Sequence, residues 1–136
     1  MSTIYQRRRL KVKKKKAHKR CPGLKNNPQV RGTAMRSRIV TPRKPNSARR
    51  PVAKIVLSNG KRVTAHIPGH GHNVRRHSEI LIKGGGARDL PGVSYSCVRG
   101  VYDLVGVMSK IRRRSIYGTK LAGHLKKKLR RKYRNL

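Results

Sequence analysis

The chain sets 38 Lys and Arg against three carboxylates, Glu79, Asp89 and Asp103, and all three acids lie between residues 32 and 108. No other feature limits the fold as much. A formal net charge of +35 on 136 residues makes a compact state repel itself unless an anionic partner surrounds it. Residues 1–31 hold 12 of the bases and no acid, and residues 109–136 hold another 12 and no acid. The middle keeps 14 bases, all the acids and 19 of the 30 Leu, Ile and Val. The expected organisation is a basic N-terminal arm over 1–31, a folded body over 32–108 and a basic C-terminal extension over 109–136. Like-charge runs such as Lys13–Lys16 and Lys126–Lys128 order only on a polyanion. Nucleic acid is therefore the leading partner class.

Other classes fall away quickly. No stretch approaches the roughly 18 apolar residues of a membrane span, so no membrane partner is expected. No apolar run follows the N-terminal bases as a secretory signal requires. Two cysteines, Cys21 and Cys97, are too few for a disulfide framework. With three acids in the whole chain, paired-carboxylate chemistry has few candidates. His77-Ser78 is adjacency in sequence and makes no catalytic dyad. The expectation is no enzyme, no catalytic residue and no cofactor.

The middle reads as β structure. Arg36–Val40 is a short strand ending before Pro42. Val52–Ser58 and Lys61–Ile67 flank Asn59-Gly60, a strong hairpin signal. A two-residue loop would pair Val56 with Val63 and Val52 with Ile67 on one face, and would set Ala53, Ile55 and Leu57 against His66, Thr64 and Arg62 on the other. Glu79–Lys83 is a further strand, stopped by Gly84-Gly85-Gly86, and Val98–Val107 supplies another apolar stretch. Short strands punctuated by Gly and Pro point to an all-β fold, a small closed or part-closed barrel. Leu121, Leu125 and Leu129 at spacing four fit a helix, while a solvated or RNA-wrapped tail fits the basic runs equally well.

Three motifs bear on chemistry. His66, His70, His72 and His77 fall within 12 residues, but no Cys-x-x-Cys accompanies them and Arg75 and Arg76 would repel a cation. RNA-facing imidazoles are the preferred reading, and no metal is expected. Gly84-Gly85-Gly86 lacks the Lys-Ser/Thr ending of a phosphate loop, and glycines at a strand end instead permit a turn or a close backbone approach. Most informative is Thr41-Pro42-Arg43-Lys44-Pro45-Asn46-Ser47-Ala48-Arg49-Arg50-Pro51. Three prolines stiffen it and remove backbone donors. Arg43, Lys44, Arg49 and Arg50 can hold phosphates, while Asn46 and Ser47 can read 2′-hydroxyls or base edges in an RNA minor groove. A plain polar loop between strands accounts for the composition equally well.

At these residues the chain resembles the small-subunit ribosomal protein S-twelve family, the decoding-centre protein. Pro45-Asn46-Ser47-Ala48 after Thr41-Pro42 carries the resemblance, with Pro28-Gln29-Val30-Arg31-Gly32, Gly71-His72-Asn73 through His77-Ser78, Asp89-Leu90-Pro91-Gly92-Val93 and Val98-Arg99-Gly100 following in order. Ser115-Ile116-Tyr117-Gly118 resembles the closing motif, and residues 28–120 align without a gap. The resemblance implies an oligonucleotide-binding (OB) barrel whose N-terminal arm threads the small subunit. It implies rRNA contacts from the loop Arg43, Lys44, Pro45, Asn46 and Ser47 and from a second loop, Arg88, Asp89, Leu90, Pro91 and Gly92, beside the A-site codon–anticodon helix. Further rRNA contacts are expected from Arg49, Arg50, His72, Arg75, Arg76, His77 and Tyr117. The implied partners are small-subunit rRNA, A-site tRNA and mRNA, neighbouring ribosomal proteins and elongation factors. The runner-up is a free RNA chaperone or single-strand binder on the same barrel.

The departures are chemical. Arg43 and Arg88 stand where family members usually have Lys, replacing a point ammonium with a planar fork. His70, Arg75 and Arg76 replace an acid or amide of the family pattern. Ser2-Thr3-Ile4-Tyr5-Gln6 resembles the family's mature start, so no cleaved targeting peptide is expected. Loss of acids and divergent arms favour a ribosome of the mitochondrial matrix, with a bacterial or plastid ribosome left open.

Overall fold

A computed structural model of the chain describes residues 3–9, 21–108 and 110–123. Its body is five strands: β1 (Gln29–Val40), β2 (Arg50–Leu57), β3 (Arg62–His66), β4 (Glu79–Gly84) and β5 (Tyr95–Cys97). They close into a barrel in the order β1-β2-β3-β5-β4. Only β3 and β5 pair parallel; the other pairs are antiparallel. This is the small all-β barrel expected from the strand pattern, in the OB-like form that the resemblance implies. Outside it, Ile4–Arg9 forms a short helix α1 and Arg114–Tyr117 a single helical turn α2. The basic runs Lys13–Lys16 and Lys126–Lys128, and Leu125 and Leu129 of the spacing-four pattern, lie outside the described residues.

The first strand begins at Gln29 rather than Arg36, so the folded body extends upstream of residue 32. Val30, Gly32 and Ala34 alternate inward while Arg31 and Thr33 face out; the Gly and Arg in this run weaken its β signal in sequence. A bulge at Met35, where the register shifts between Ala34 and Arg36, bends the strand. Its first part can then pair β4, Gln29 through Thr33 against Lys83 through Glu79, while the strand also pairs β2. Gly32 sits where both pairings overlap. A Cβ there would lie 2.7 Å from the Val56 carbonyl oxygen and 2.8 Å from Ile55 Cγ2, so only glycine admits this approach.

The hairpin differs from expectation by one residue. Leu57 N–H donates to the Lys61 carbonyl at 2.9 Å, so the loop is Ser58-Asn59-Gly60. Gly60 alone takes positive φ, at 79°. A three-residue loop ending in left-handed glycine replaces the two-residue turn. Observed partners are Ile55↔Val63, Ala53↔Ala65 and Lys54↔Thr64, not Val56 with Val63 or Val52 with Ile67. The slip matters because it changes which side chains share a face. Ala53, Ile55 and Leu57 now line the interior with Ala65 and Ile67, all at most 2% exposed. Asn59 helps fix the loop: its Oδ1 accepts from Lys61 N–H at 3.1 Å and its Nδ2 donates to the Gly23 carbonyl at 2.7 Å.

Val98–Val107 is not a ladder strand either. The last strand, Tyr95–Cys97, precedes it, and the stretch holds a single bridge, Val101↔Leu104. Positive φ at Gly100 (78°) and Tyr102 (52°) turns the backbone too tightly for a ladder. Leu104 and Val107 are nevertheless buried.

Two apolar clusters hold the barrel. The larger includes Ile55, Leu57, Ile67, Ile80, Ile82, Tyr95, Cys97 and Leu104. Leu24 joins it from a short 3-10 turn, Pro22–Leu24, whose Gly23 N–H donates to the Tyr95 hydroxyl at 2.9 Å. The smaller cluster, Val52, Leu90 and Val93 with Val40 and Ala87 against it, lies under the two loops described next.

Candidate nucleic-acid interface

The first loop joins β1 to β2. Asn46 N–H donates to the Arg43 carbonyl at 3.0 Å, closing a turn across Lys44 and Pro45, whose peptide bond is cis. Residues 43–49 are all exposed. The second loop follows β4. Its Leu90 is 4% exposed and packs on Val52. Of the second-loop residues expected to contact RNA, Leu90 is therefore an anchor with its side chain inside. Pro91 and Gly92 are exposed, and Gly92 takes a positive φ of 72°.

Two links tie the loops together. Arg43 N–H donates to the Asp89 carbonyl at 3.0 Å. Arg50 grips the Asp89 carboxylate, Nε at 2.8 Å and Nη2 at 2.6 Å from the same Oδ2. The result is one groove lined by Arg43, Lys44, Asn46, Arg50, Arg88 and Asp89. Its single carboxylate is already neutralised by Arg50. The only ion pairs among the described residues are Arg50–Asp89 and Arg31–Glu79, so Arg43, Lys44 and Arg88 present uncompensated charge. Such a rim attracts anions, and the neutral Asn46 among them offers both donor and acceptor. Ser47, Arg49 and Pro45 are exposed on the same loop.

His66, opposite Val52 on the β2–β3 ladder, adjoins this junction. Burial is the main cause of its lowered pKa; Arg50 lowers it further and Asp89 partly opposes.

Arg76 and His77 occupy a different place from the two loops. His77 N–H donates to the Ala34 carbonyl and Ala34 N–H to the Ser78 carbonyl, both at 2.8 Å, so this strap clips onto β1 beside the bulge. Arg75 N–H donates to Ser78 Oγ at 3.0 Å. Arg76 shares a second groove with Met35, Arg36, Lys54, Arg62 and Thr64. Arg36, Lys54 and Arg62 were not among the residues expected from the sequence to contact RNA. The usable signal was the outward set of β positions: Lys54 pairs Arg36 on one side and Thr64 on the other. Like charges directly opposite destabilise a sheet, and a bound anion removes that cost.

His72 and Tyr117 lie in a third neighbourhood, built on Arg99. This side chain is 3% exposed. Its Nε donates to the Pro68 carbonyl at 2.5 Å, Nη1 to that of Val105 at 3.1 Å and Nη2 to that of Gly71. His72 Nδ1 accepts from Val74 N–H at 3.3 Å, and burial first, then Arg99, lowers its pKa. The Tyr117 carbonyl accepts from Val107 N–H at 2.9 Å, and Lys110 Nζ stands 5.4 Å from its ring centroid. Both residues serve local architecture here. Among the described residues no three His, Cys, Asp or Glu gather to hold a metal ion, and no helix is long and apolar enough to cross a membrane.

The family model Ribosomal protein S12/S23 matches residues 13–134. The small ribosomal subunit protein uS12m of Paramecium tetraurelia is 55% identical over 134 residues, covering 98% of this chain and 96% of that protein. That likeness agrees with the expected placement in the ribosome of the mitochondrial matrix, and a role in translation follows from the family, which is a structural class and no class of enzyme. With nearly its whole length matched and its strands closed into a small barrel, the chain belongs to the ribosomal protein S12/S23 family and is a structural component of the ribosome.

Proposed function

We propose that the chain binds small-subunit rRNA and sits at the A-site decoding centre, where its two joined loops support accurate codon–anticodon recognition. The observation that carries this reading is the Arg50–Asp89 grip, which holds the Pro45-Asn46-Ser47 turn and the Arg88–Gly92 loop around one basic groove. Arg43, Lys44 and Arg88 would hold phosphates of rRNA. Asn46 and Ser47 would make the neutral hydrogen bonds that respond to minor-groove shape. A cognate helix is stabilised more than a near-cognate one, and about 1.4 kcal/mol of difference changes the ratio tenfold. The groove of Arg36, Lys54, Arg62 and Arg76 would bind further rRNA, and the basic runs of the two arms, Lys13–Lys16 and Lys126–Lys128, would run along it. A-site tRNA, mRNA, elongation factors and adjoining ribosomal proteins are then its neighbours.

Sedimentation tests this. On sucrose gradients at moderate salt the chain should travel with the small subunit, and chemical probing should show decoding-site nucleotides protected by it. A chain found only in free RNA fractions would instead favour the RNA-chaperone reading.

A further inference from the structure

Beyond the two grooves, the chain exposes an apolar surface at the end of the barrel that follows β5. Met108 is 93% exposed, Ile111 79%, Val105 55%, Tyr102 53%, Ile116 43% and Val101 38%. These residues come from two segments held side by side. Val107 N–H donates to the Tyr117 carbonyl at 2.9 Å, and Thr119 Oγ1 donates to the Val107 carbonyl at 2.7 Å. Gly106 and Gly118 touch so closely that a Cβ on Gly106 would lie 2.3 Å from the Gly118 carbonyl oxygen. Six of the ten large apolar side chains exposed among the described residues fall in these two adjoining segments, and a concentration of apolar surface marks an interaction site.

Charge around it is divided. On the side of Tyr102 stand two of the three acids, Asp103 and Glu79, joined by Glu79 N–H donating to Asp103 Oδ2 at 2.7 Å. On the side of Ile111 stand Arg112 and Arg113, both exposed, and neither belongs to an ion pair among the described residues. An RNA strand would bring phosphates against Asp103 and would gain little from aliphatic side chains. The chain's own residues 124–136, with bases at Lys126–Lys128, Arg130, Arg131, Lys132 and Arg134, would add charge to the Arg112–Arg113 side. A protein with apolar side chains at its centre and carboxylates at one edge matches the apolar surface and the Arg112–Arg113 side, while on the other side Arg31 already pairs with Glu79.

We infer that the surface of Val101, Tyr102, Val105, Met108, Ile111 and Ile116 docks a second protein of the small subunit, through an apolar segment flanked by acidic residues that meet Arg112 and Arg113. The inference rests on the chain residing in that subunit. The test places a photo-crosslinking amino acid at Met108 and irradiates purified small subunits carrying the chain. The expected product is one protein adduct, mapped to an apolar segment with neighbouring Asp or Glu. In Met108→Lys/Ile111→Lys subunits the content of that protein should fall by about tenfold or more at raised salt, while protection at the two loops is unchanged. Both side chains are too exposed for the substitutions to disturb the core, and if that variant fails to enter subunits the crosslink decides alone. An RNA adduct, an adduct to residues 124–136 of the same chain, or no adduct overturns the inference. Absence of the chain from small subunits would instead sink the decoding-site reading, and this one with it.

Discussion

Asp89 Oδ2 receives both Arg50 Nε and Arg50 Nη2, at 2.8 and 2.6 Å, across 39 residues of chain. The Asp89 side chain is 13% exposed and the Arg50 side chain 38%. The contact therefore keeps part of the strength of a charge-assisted hydrogen bond, reduced by solvent on the arginine side. Asp89→Asn should cost about 1–2 kcal/mol of stability. Urea unfolding in sulfate buffer, where screening offsets the surplus charge, measures it. An unchanged midpoint would show that the two loops are held without this pair.

Asn46 is exposed and closes its turn through the backbone, not the side chain. Asn46→Ala should leave the fold and subunit incorporation intact and change misreading by up to about tenfold, the effect of 1.4 kcal/mol. A near-cognate reporter read beside sucrose-gradient profiles distinguishes the two effects. Normal miscoding in Asn46→Ala subunits would remove Asn46 from the decoding role.

Arg99 ties Pro68, Gly71 and Val105 together from a buried position. Lysine keeps the charge but not the fork, and cannot reach three carbonyls in one plane. Arg99→Lys should cost about 2–4 kcal/mol and raise amide exchange over residues 68–74 first. Exchange rising uniformly through the barrel would mean that Arg99 supports the whole core and not this corner.

His66 and His72 both have folded-state pKa values below the usual 6.5. The unfolded chain then binds more protons than the folded one between the folded value and 6.5, so stability rises with pH across that window. It is fully present above 6.5 and lost as pH falls toward the folded values. Proton titration of the His66 ring by NMR should give a midpoint below 6.5. Asp89→Asn, which removes the opposing carboxylate, should move it lower still. A midpoint that rises in Asp89→Asn contradicts the arrangement.

Cys97 is 1% exposed, and burial pushes its thiol up to about 12. Cys21 is half-buried, with its thiol donating to the Ser94 carbonyl at 3.5 Å. Iodoacetamide at pH 8 should label Cys21 in the folded chain and Cys97 only after urea is added. Equal labelling rates without urea would show the barrel open at β5.

Much of the fold was legible because it is local. Alternating apolar residues marked β2, β3 and β4, and Asn59-Gly60 marked their hairpin. The hairpin loop is longer by one residue: whether Asn59 also takes positive φ depends on its bonds to Gly23 and Lys61, and Gly23 lies 36 residues away. β1 was read short because a sheet bonded on both edges tolerates Gly32 and Arg31, which a local propensity penalises. Leu90 read as a loop residue, since only the packing of Val52 beneath it shows that it points inward.

The sequence by itself determined where the charge lies, most of β2, β3 and β4, and the proline-bound loop that carries Asn46 and Ser47; Arg88 and Asp89 came in through the family resemblance. The charge, the strands and that loop are properties of composition and short-range pattern. Only the tertiary structure decided that Asp89 faces Arg50, that Arg99 alone of the Lys and Arg among the described residues is buried, and that Arg36 and Lys54 stand opposite each other. Each of these depends on barrel closure, which brings distant strands within hydrogen-bond reach. No local window of sequence encodes which of many equivalent arginines will meet the one carboxylate.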